Sequence, residues 1–511
     1  MKLTQLAACI AASSLLIACG SDDDNDSNES YSNPQVQKVL NTNADIALAA
    51  YSDSVDTAVQ LKAALETFKN EPTAANLAAA KTAWLVAREP YGQTEVYRFR
   101  NSPIDSTNYS DEDGPEGAIN AWPLGEALID YVTLGTEQAQ GDFTTTQIGV
   151  DGNSAGVNEE NPVELEFDDG TKQTFDGPVD TNNASTKANP GTINIIQSDI
   201  EITKALLENT ATIPSEADVI AGYHAIEFLL WGQDLNDAAG ITDGSDRESA
   251  VKSHGAPNIA AGGQRPLTDF TTDADAQRRL NYLIVAADKL VEDLTQVRDG
   301  WAEGASYRTK FTTINSQADA NQRLAEILTG MGTLSEGELA GERMQIAYTG
   351  NSQEDEHSCF SDNTHRDIVL NASGVENSYY GTYVGYDSDL DGDIDADDNT
   401  TRAVNGYGLD DLLADTQRSA LAAEMHTALQ ATKTAYTKID QSARDGKPFD
   451  VLIMPEYHTD ENKADNPVRQ TIAALFAQSI KIQDVADALS LGDVVDEGAS
   501  ECNTQNPDSE C

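Results

Sequence analysis

Apolar residues recur every three or four positions over most of this chain. The run VQKVLNTNADIALAAYSDSVDTAVQLKAALETFKN keeps that spacing throughout and predicts a long amphipathic helix. A second helix is expected in PTAANLAAAKTAWLVAREPY, which begins at Pro72, where a first helical turn tolerates proline. The same period predicts helices at about 201–210, 215–231, 275–299, 317–330, 409–440 and 467–489, each with one apolar stripe and a polar opposite face. The expected fold class is mainly α, helix packed on helix.

Two stretches break the helical period. Residues 139–192 are rich in Gly, Asn, Asp and Thr and contain VELEFDDGTKQTF, two alternating runs about an Asp-Gly turn. That pattern predicts a β-hairpin, read as a surface insertion. The second, within 379–406, is YDSDLDGDIDADD. Asp387, Asp389, Asp391, Asp393, Asp395 and Asp398 stand at alternate or closing positions of a twelve-residue calcium loop, with Gly392 at its sharp turn and Ile394 as its anchor. Asp398 departs from the bidentate glutamate usual at the last position. The preceding YYGTYVG is not helical in pattern, so one structural calcium site is expected rather than a switching pair of EF-hands.

The first residues change the picture of where the protein works. Lys2, an apolar stretch from Leu6 to Ala18, and an abrupt polar run read as an export signal, residues 1–18. Leu16-Ile17-Ala18-Cys19 resembles a bacterial lipobox, which implies cleavage before Cys19 and lipidation of its thiol. Gly20 and Ser21 place no aspartate directly after that cysteine, which implies outer-membrane retention, on the periplasmic or cell-surface side. Residues 19–33 then form a lipidated, solvated tether. No later stretch has the roughly 20 apolar residues that a spanning helix needs, so membrane contact is expected through the anchor alone. With 86 Asp plus Glu against 32 Lys plus Arg, the formal net charge is −54, which excludes nucleic acid as a partner. Cys359, Cys502 and Cys511 follow the leader in an oxidising compartment. The closeness of Cys502 and Cys511 in a tail, 491–511, makes a local disulfide the simplest pairing, with Cys359 able to compete.

The stretch GYHAIEFLLWG, 222–232, places His224 and Glu227 three residues apart among apolar neighbours. On a helix they share a face. A single histidine on an apolar face is more often a hydrogen-bonded core residue than a ligand, but a buried carboxylate beside it needs a metal, a cation or a donor network. Imidazole with carboxylate suits zinc or iron, and further ligands must come from elsewhere. The zinc-protease pattern HExxH is absent. Three polar-aromatic clusters offer candidates: REPYGQTEVYRFRNSPID at 88–105, INAWPLGEALIDYV at 119–132, and GERMQIAYTGNSQEDEHSCFSDNTHRDI at 341–368, which holds Glu354, Asp355, Glu356, His357, Cys359, Asp362 and His365.

Gly222, His224 and Glu227 match the GxHxxE motif of the imelysin-like family, and the three clusters resemble those of its iron-regulated lipoprotein branch. The resemblance covers about 34–490. It implies two helical-bundle domains, about 34–213 and 214–490, with the motif near their junction, and a role in the bacterial envelope in acquiring iron or another metal, with an envelope uptake partner. It implies that Gly222 permits close helix approach and that His224 and Glu227 are the site pair. Glu95 and Glu126 are the expected partner ligands. The family has an acid where this chain has Gly125, which leaves Glu126 to serve there. Peptidase activity is the alternative, with Glu95, Glu126 or Glu356 as base, and a non-catalytic surface interaction module is the second. The hairpin and the calcium loop are features of this chain outside the resemblance.

Overall fold

The computed structural model describes residues 31–111, 113–131, 163–166, 172–175, 194–197, 201–208, 219–233, 262–263, 265–352, 355–454, 457–495, 502–509 and 511. Ser32 starts the first helix with a capping box: the side chain of Gln35 reaches back and accepts from the Ser32 amide at 3.0 Å. That helix, α1 (Asn33–Asn70), turns back into α2 (Ala74–Gly92), whose N-cap is Thr73, one residue past Pro72. Two single turns follow, α3 (Glu116–Ile119) and α4 (Glu126–Ile129). Strands β1 (Val163–Glu166) and β2 (Lys172–Phe175) then pair antiparallel with Val163 opposite Phe175 and Glu166 opposite Lys172, which is the hairpin expected from the Asp-Gly turn. The rest of 139–192, apart from 194–197 just beyond it, lies outside the described residues.

Beyond the hairpin come α5 (Lys204–Glu208), α6 (Gly222–Trp231), α7 (Ala276–Trp301), α8 (Ser306–Thr312) and α9 (Gln317–Thr333). The helix expected at 317–330 does not stop there. It continues through a π-helical stretch, Leu334–Gln345, into α10 (Ile346–Gly350) and ends at Asn351, whose φ is 48°. Next are α11 (Thr364–Tyr380), the two-residue strands β3 (Thr382–Tyr383) and β4 (Val404–Asn405), α12 (Leu409–Asp415), α13 (Ser419–Arg444), α14 (Phe449–Leu452) and α15 (Pro467–Ala488). The single helix expected at 409–440 is therefore two, divided where Gln417 takes φ 60°.

α1 packs along α2 and α7, and α6 lies on α7 and α2. Among the later elements, α15 packs on α13 and on the π-helical stretch, and α11 on α13. Residues from Tyr31 on form one compact unit, with two separate clusters of buried apolar side chains. The boundary expected near 213 falls among residues outside those described. Trp84, Trp231 and Trp301 are fully buried, and the first two meet edge to face at 5.4 Å. No described helix is long and apolar enough to cross a membrane. Cys502 and Cys511 form a disulfide, and Cys359 is buried outside any disulfide. The leader and Cys19 lie outside the described residues.

Candidate functional site

Helix α6 is buried along its whole length, from Gly222 to Trp231. Its first turn is fixed from three sides. The indole of Trp84 on α2 donates to the Tyr223 carbonyl at 2.9 Å, and the Tyr282 hydroxyl on α7 donates to the Ile220 carbonyl at 2.6 Å. On the third side, Gly125 N–H donates to the Val219 carbonyl at 2.7 Å, tying the turn to the segment that leads into α4. Gly222 enters the helix at φ 80°, and a Cβ there would lie 2.3 Å from the Ile119 carbonyl oxygen. Both the backbone angle and the contact require glycine.

One turn later the chemistry begins. The Nδ1 of His224 lies 2.8 Å from Oε2 of Glu227, and neither residue has any exposed surface. The other carboxylate oxygen, Oε1, accepts from Ser361 twice, from its amide at 3.0 Å and its hydroxyl at 2.7 Å. Burial raises the Glu227 carboxyl to about 8, against the lowering effects of Ser361 and Arg88. Burial drives the His224 imidazole well below its usual range, helped by Arg88 and Arg343. Both shifts run the same way, each disfavouring the charged form of its own group across the 2.8 Å contact. The Nε2 of His224 has no hydrogen-bond partner among the described residues.

What surrounds the His224 ring comes from distant parts of the chain. The His357 ring stands 4.8 Å from the His224 ring, edge to face, and Trp122 is 5.0 Å away on another side. Asn120 Nδ2 approaches His357 Nε2 at 3.4 Å. Arg88 of α2 fixes the back of the site: it donates to Asn120 Oδ1 and, at 2.8 Å, to Asp367 of α11, while its guanidinium lies 4.9 Å over the Tyr223 ring. Next to Arg88, Glu89 holds Arg366 in a bidentate pair at 2.8 and 2.7 Å.

Glu95 and Glu126, named from the sequence as partner ligands, are both buried. Glu95 Oε2 is occupied by Arg343 at 2.8 Å and Arg98 at 3.2 Å. Burial pushes its carboxyl up, but the two guanidiniums outweigh burial and hold it at about 2. Arg343 sits on the π-helical stretch, an irregularity that recurs at functional sites, and its field reaches both His224 and His357. Glu126 opens α4, which packs on α6. Among the described residues, His224, Glu227, Glu95 and Glu126 do not gather into a group of three or more ligand atoms. Sequence reasoning held His357 only as one of several candidates in a charged cluster, and it did not name Ser361.

The group that does gather is in the acidic loop. Ligand oxygens of Asp387, Asp389 and Asp391 lie within 4.8 Å of one another, Asp387 buried and the others exposed. Asp387 also accepts from the amides of Leu390 at 2.6 Å and Gly392 at 2.8 Å. Asp398 closes the loop from the far end, accepting from the Ser388 amide at 2.6 Å and the Asp395 amide at 2.9 Å. Burial, with Glu89 nearby, raises Asp387 to about 7, and Asp391 raises Asp393. The loop is a concentration of carboxylates that could coordinate a cation.

A helical fold built round a wholly buried His-Glu pair at the start of one helix defines the class. The family profile described as Imelysin, Peptidase_M75, matches residues 47–484. The chain belongs to the imelysin family. Iron-regulated protein A of Synechococcus elongatus is 34% identical over 116 residues, 23% of this chain; the match spans 28% of that relative's length. The crystal structure of an iron-regulated protein A precursor from Parabacteroides distasonis superposes with a TM-score of 0.50 at 16% identity, covering 91% of this chain and 97% of that one. That likeness is one of fold.

Proposed function

We propose that this protein is a bacterial envelope lipoprotein of iron acquisition, anchored through Cys19, in which His224 supplies a ligand to iron or zinc. One observation carries the reading: Nε2 of His224 is fully buried and without a partner among the described residues, while Nδ1 is held by the Glu227 carboxyl, so that metal binding would shift the acid's proton onto Nδ1 and release the one on Nε2. Metal-bound histidines commonly donate their second N–H to a carboxylate, which sets the tautomer and raises ligand basicity. In this reading Glu227 orients His224 rather than ligating, since both its oxygens are engaged. The donor set fits a metal in part, with His357 as the neighbouring imidazole and the remaining positions supplied by Glu126, by local rearrangement or by the metal's own ligands. The name of the curated relative, iron-regulated protein A, supports iron as the metal. An uptake partner in the envelope would receive it.

The peptidase label of the family is the alternative. It requires a base near an open metal position, and of the candidates Glu95 is already held by two guanidiniums. Metal analysis of protein purified without chelator, beside His224→Ala, separates the readings. Iron or zinc bound by the wild type and lost in the variant, with no cleavage across a broad peptide panel, is the expected result. Equal metal in both would sink the proposal, and cleavage that disappears with His224 would favour the peptidase. An interaction module would show neither metal nor cleavage.

For the acidic loop the reading is a structural calcium ion held by Asp387, Asp389 and Asp391, with Asp393, Asp395 and Asp398 completing the shell directly or through water. Ca²⁺ takes oxygen ligands at about 2.3–2.6 Å, a radius compatible with oxygens no more than 4.8 Å apart. A divalent cation there would also relieve the repulsion that raises Asp393.

A further inference from the structure

In one place the charge of this protein runs against its average. The chain carries 86 acidic and 32 basic residues, yet a small pocket of about 60 Å³ between the 100–109 loop, α8 and α9 is lined by Arg100, Lys310 and Arg323 against one acid, Glu326. Glu326 is taken up by Arg323. The other acid whose field is felt there, Asp105, accepts from the backbone amides of Phe99, Arg100 and Ser102. Positive charge is therefore left over in the pocket.

Three buried donor atoms on residues that line this pocket lack partners among the described residues: Arg100 Nη2, the Tyr307 hydroxyl and Arg323 Nε. Arg100 is 5% exposed, and its Nε and Nη1 reach the Tyr97 carbonyl and Asn43 Oδ1, both at 3.3 Å. Its Nη2 meets no hydrogen-bond acceptor among the described residues, and neither does the hydroxyl of Tyr307, which is 4% exposed. A buried donor left without an acceptor is destabilising. Three such donors on the residues lining one pocket mark a place where an acceptor arrives from outside. The remaining walls are flat and apolar. Tyr307 and Phe311 stack at 5.9 Å with ring planes 9° apart, and Tyr109 leans on Tyr307 at 5.0 Å under the ammonium of Lys310.

We infer that this pocket binds a small aromatic carboxylate, its charged head on Arg100 and Tyr307 and its ring against Tyr109 and Phe311. A guanidinium fork suits a carboxylate, and aromatic walls suit a flat body. This inference is independent of the His224 site.

Benzoate is the probe, titrated into the full-length protein by calorimetry and followed through the fluorescence of Trp301, whose ring lies 4.7 Å from that of Tyr307. Saturable binding at millimolar concentration or below is expected, with phosphate and benzyl alcohol each at least tenfold weaker. The Tyr307 hydroxyl has no acceptor among the described residues, so Tyr307→Phe should melt like the wild type and yet bind benzoate about tenfold less tightly. Lys310→Gln, at an exposed position, should weaken it about two- to fivefold. Absence of benzoate binding, phosphate binding as tight as benzoate, or affinity unchanged in both variants would overturn the inference.

Discussion

Replacing Glu227 by glutamine asks whether its carboxylate serves a metal or only the fold. Burial raises this carboxyl from 4.5 to about 8. At about 1.4 kcal/mol per pH unit, that amounts to an order-of-magnitude penalty of roughly 5 kcal/mol for holding the charge inside. The folded chain binds this proton more tightly than the unfolded chain does. Between pH 4.5 and about 8 the unfolded chain releases it first, so this group's contribution to stability falls as pH rises. Glutamine mimics the protonated acid: its carbonyl can accept from Ser361 and its amide can donate to His224 Nδ1. The variant should therefore match the wild type near pH 4.5 and exceed it increasingly toward pH 8. Metal binding should move the other way. A metal on Nε2 needs the Nδ1–H tautomer, and glutamine could accept that proton only by turning its amide N–H groups toward the Ser361 donors. Loss of such a supporting partner typically costs about 10–100-fold in affinity. Urea unfolding at several pH values, with metal affinity from chelator competition, reads both effects. A variant less stable than the wild type at pH 8, with unchanged metal affinity, would refute the proton placement and the metal role together.

Three further outcomes are expected. Gly222→Ala must hold φ near 80° and put a methyl 2.3 Å from the Ile119 carbonyl oxygen; a loss of about 2–5 kcal/mol in urea unfolding is expected from strain plus overpacking, and a loss within 0.5 kcal/mol would mean that α3 moves aside freely. Calcium at a hundredfold excess over its dissociation constant should stabilise the protein by about 2.7 kcal/mol, and a melting shift that survives in both Asp389→Ala and Asp391→Ala would place calcium elsewhere. Glu95→Gln should cost about 3 kcal/mol at neutral pH because Arg343 and Arg98 lose their most buried acid and keep only the partly exposed Glu338 and Glu116. Since Glu95 is held at about 2 against an ordinary 4.5, its contribution is complete above pH 4.5 and fades as pH falls toward 2. A variant deficit that stays constant across that window would contradict the pairing.

Local signals in the chain carried the helices and the hairpin well, and long-range ones hardly at all. α7 and α15 were visible because their apolar stripe repeats over several turns and one face is buried. The Asp-Gly turn announced β1 and β2. The break between α12 and α13 had no such mark: Thr416-Gln417-Arg418 contains no glycine or proline, and Gln417 takes φ 60° because the packed helices on either side demand a corner. The π-helical stretch is equally silent in the period of its side chains. In the site, His224 and Glu227 were legible because they sit one turn apart on one helix. Ser361 and His357 were not, since they reach the pair across 134 and 133 residues of chain. The arginines went unread for a different reason. Clusters rich in acids suggest metal ligands, but a buried carboxylate is satisfied as well by a guanidinium as by a cation, and nothing local tells which will arrive.

That last ambiguity shapes how the two candidate metal regions relate. Arg88 and Glu89 are consecutive on α2, and Arg366 and Asp367 are consecutive on α11. They pair crosswise, Arg88 with Asp367 at 2.8 Å and Glu89 with Arg366 at 2.7 Å. Neighbouring residues on a helix point about 100° apart, so the two bridges face different surroundings. Arg88 and Asp367 look toward the buried pair, where Arg88 also braces Asn120 beside His357. Glu89 and Arg366 look toward the acidic loop, where Arg366 comes within 3.7 Å of Asp387 and joins His365 and Arg444 on Asp440. Arg88 and Asp367 form one buried ion pair, and removing either leaves the other uncompensated at a cost of about 3–5 kcal/mol, whereas Arg366 would keep Asp440 and Asp387 if Glu89 were lost. The same two helical turns thus fix the walls of both regions, which explains why a chain so rich in acid places arginines, rather than apolar side chains, at this crossing.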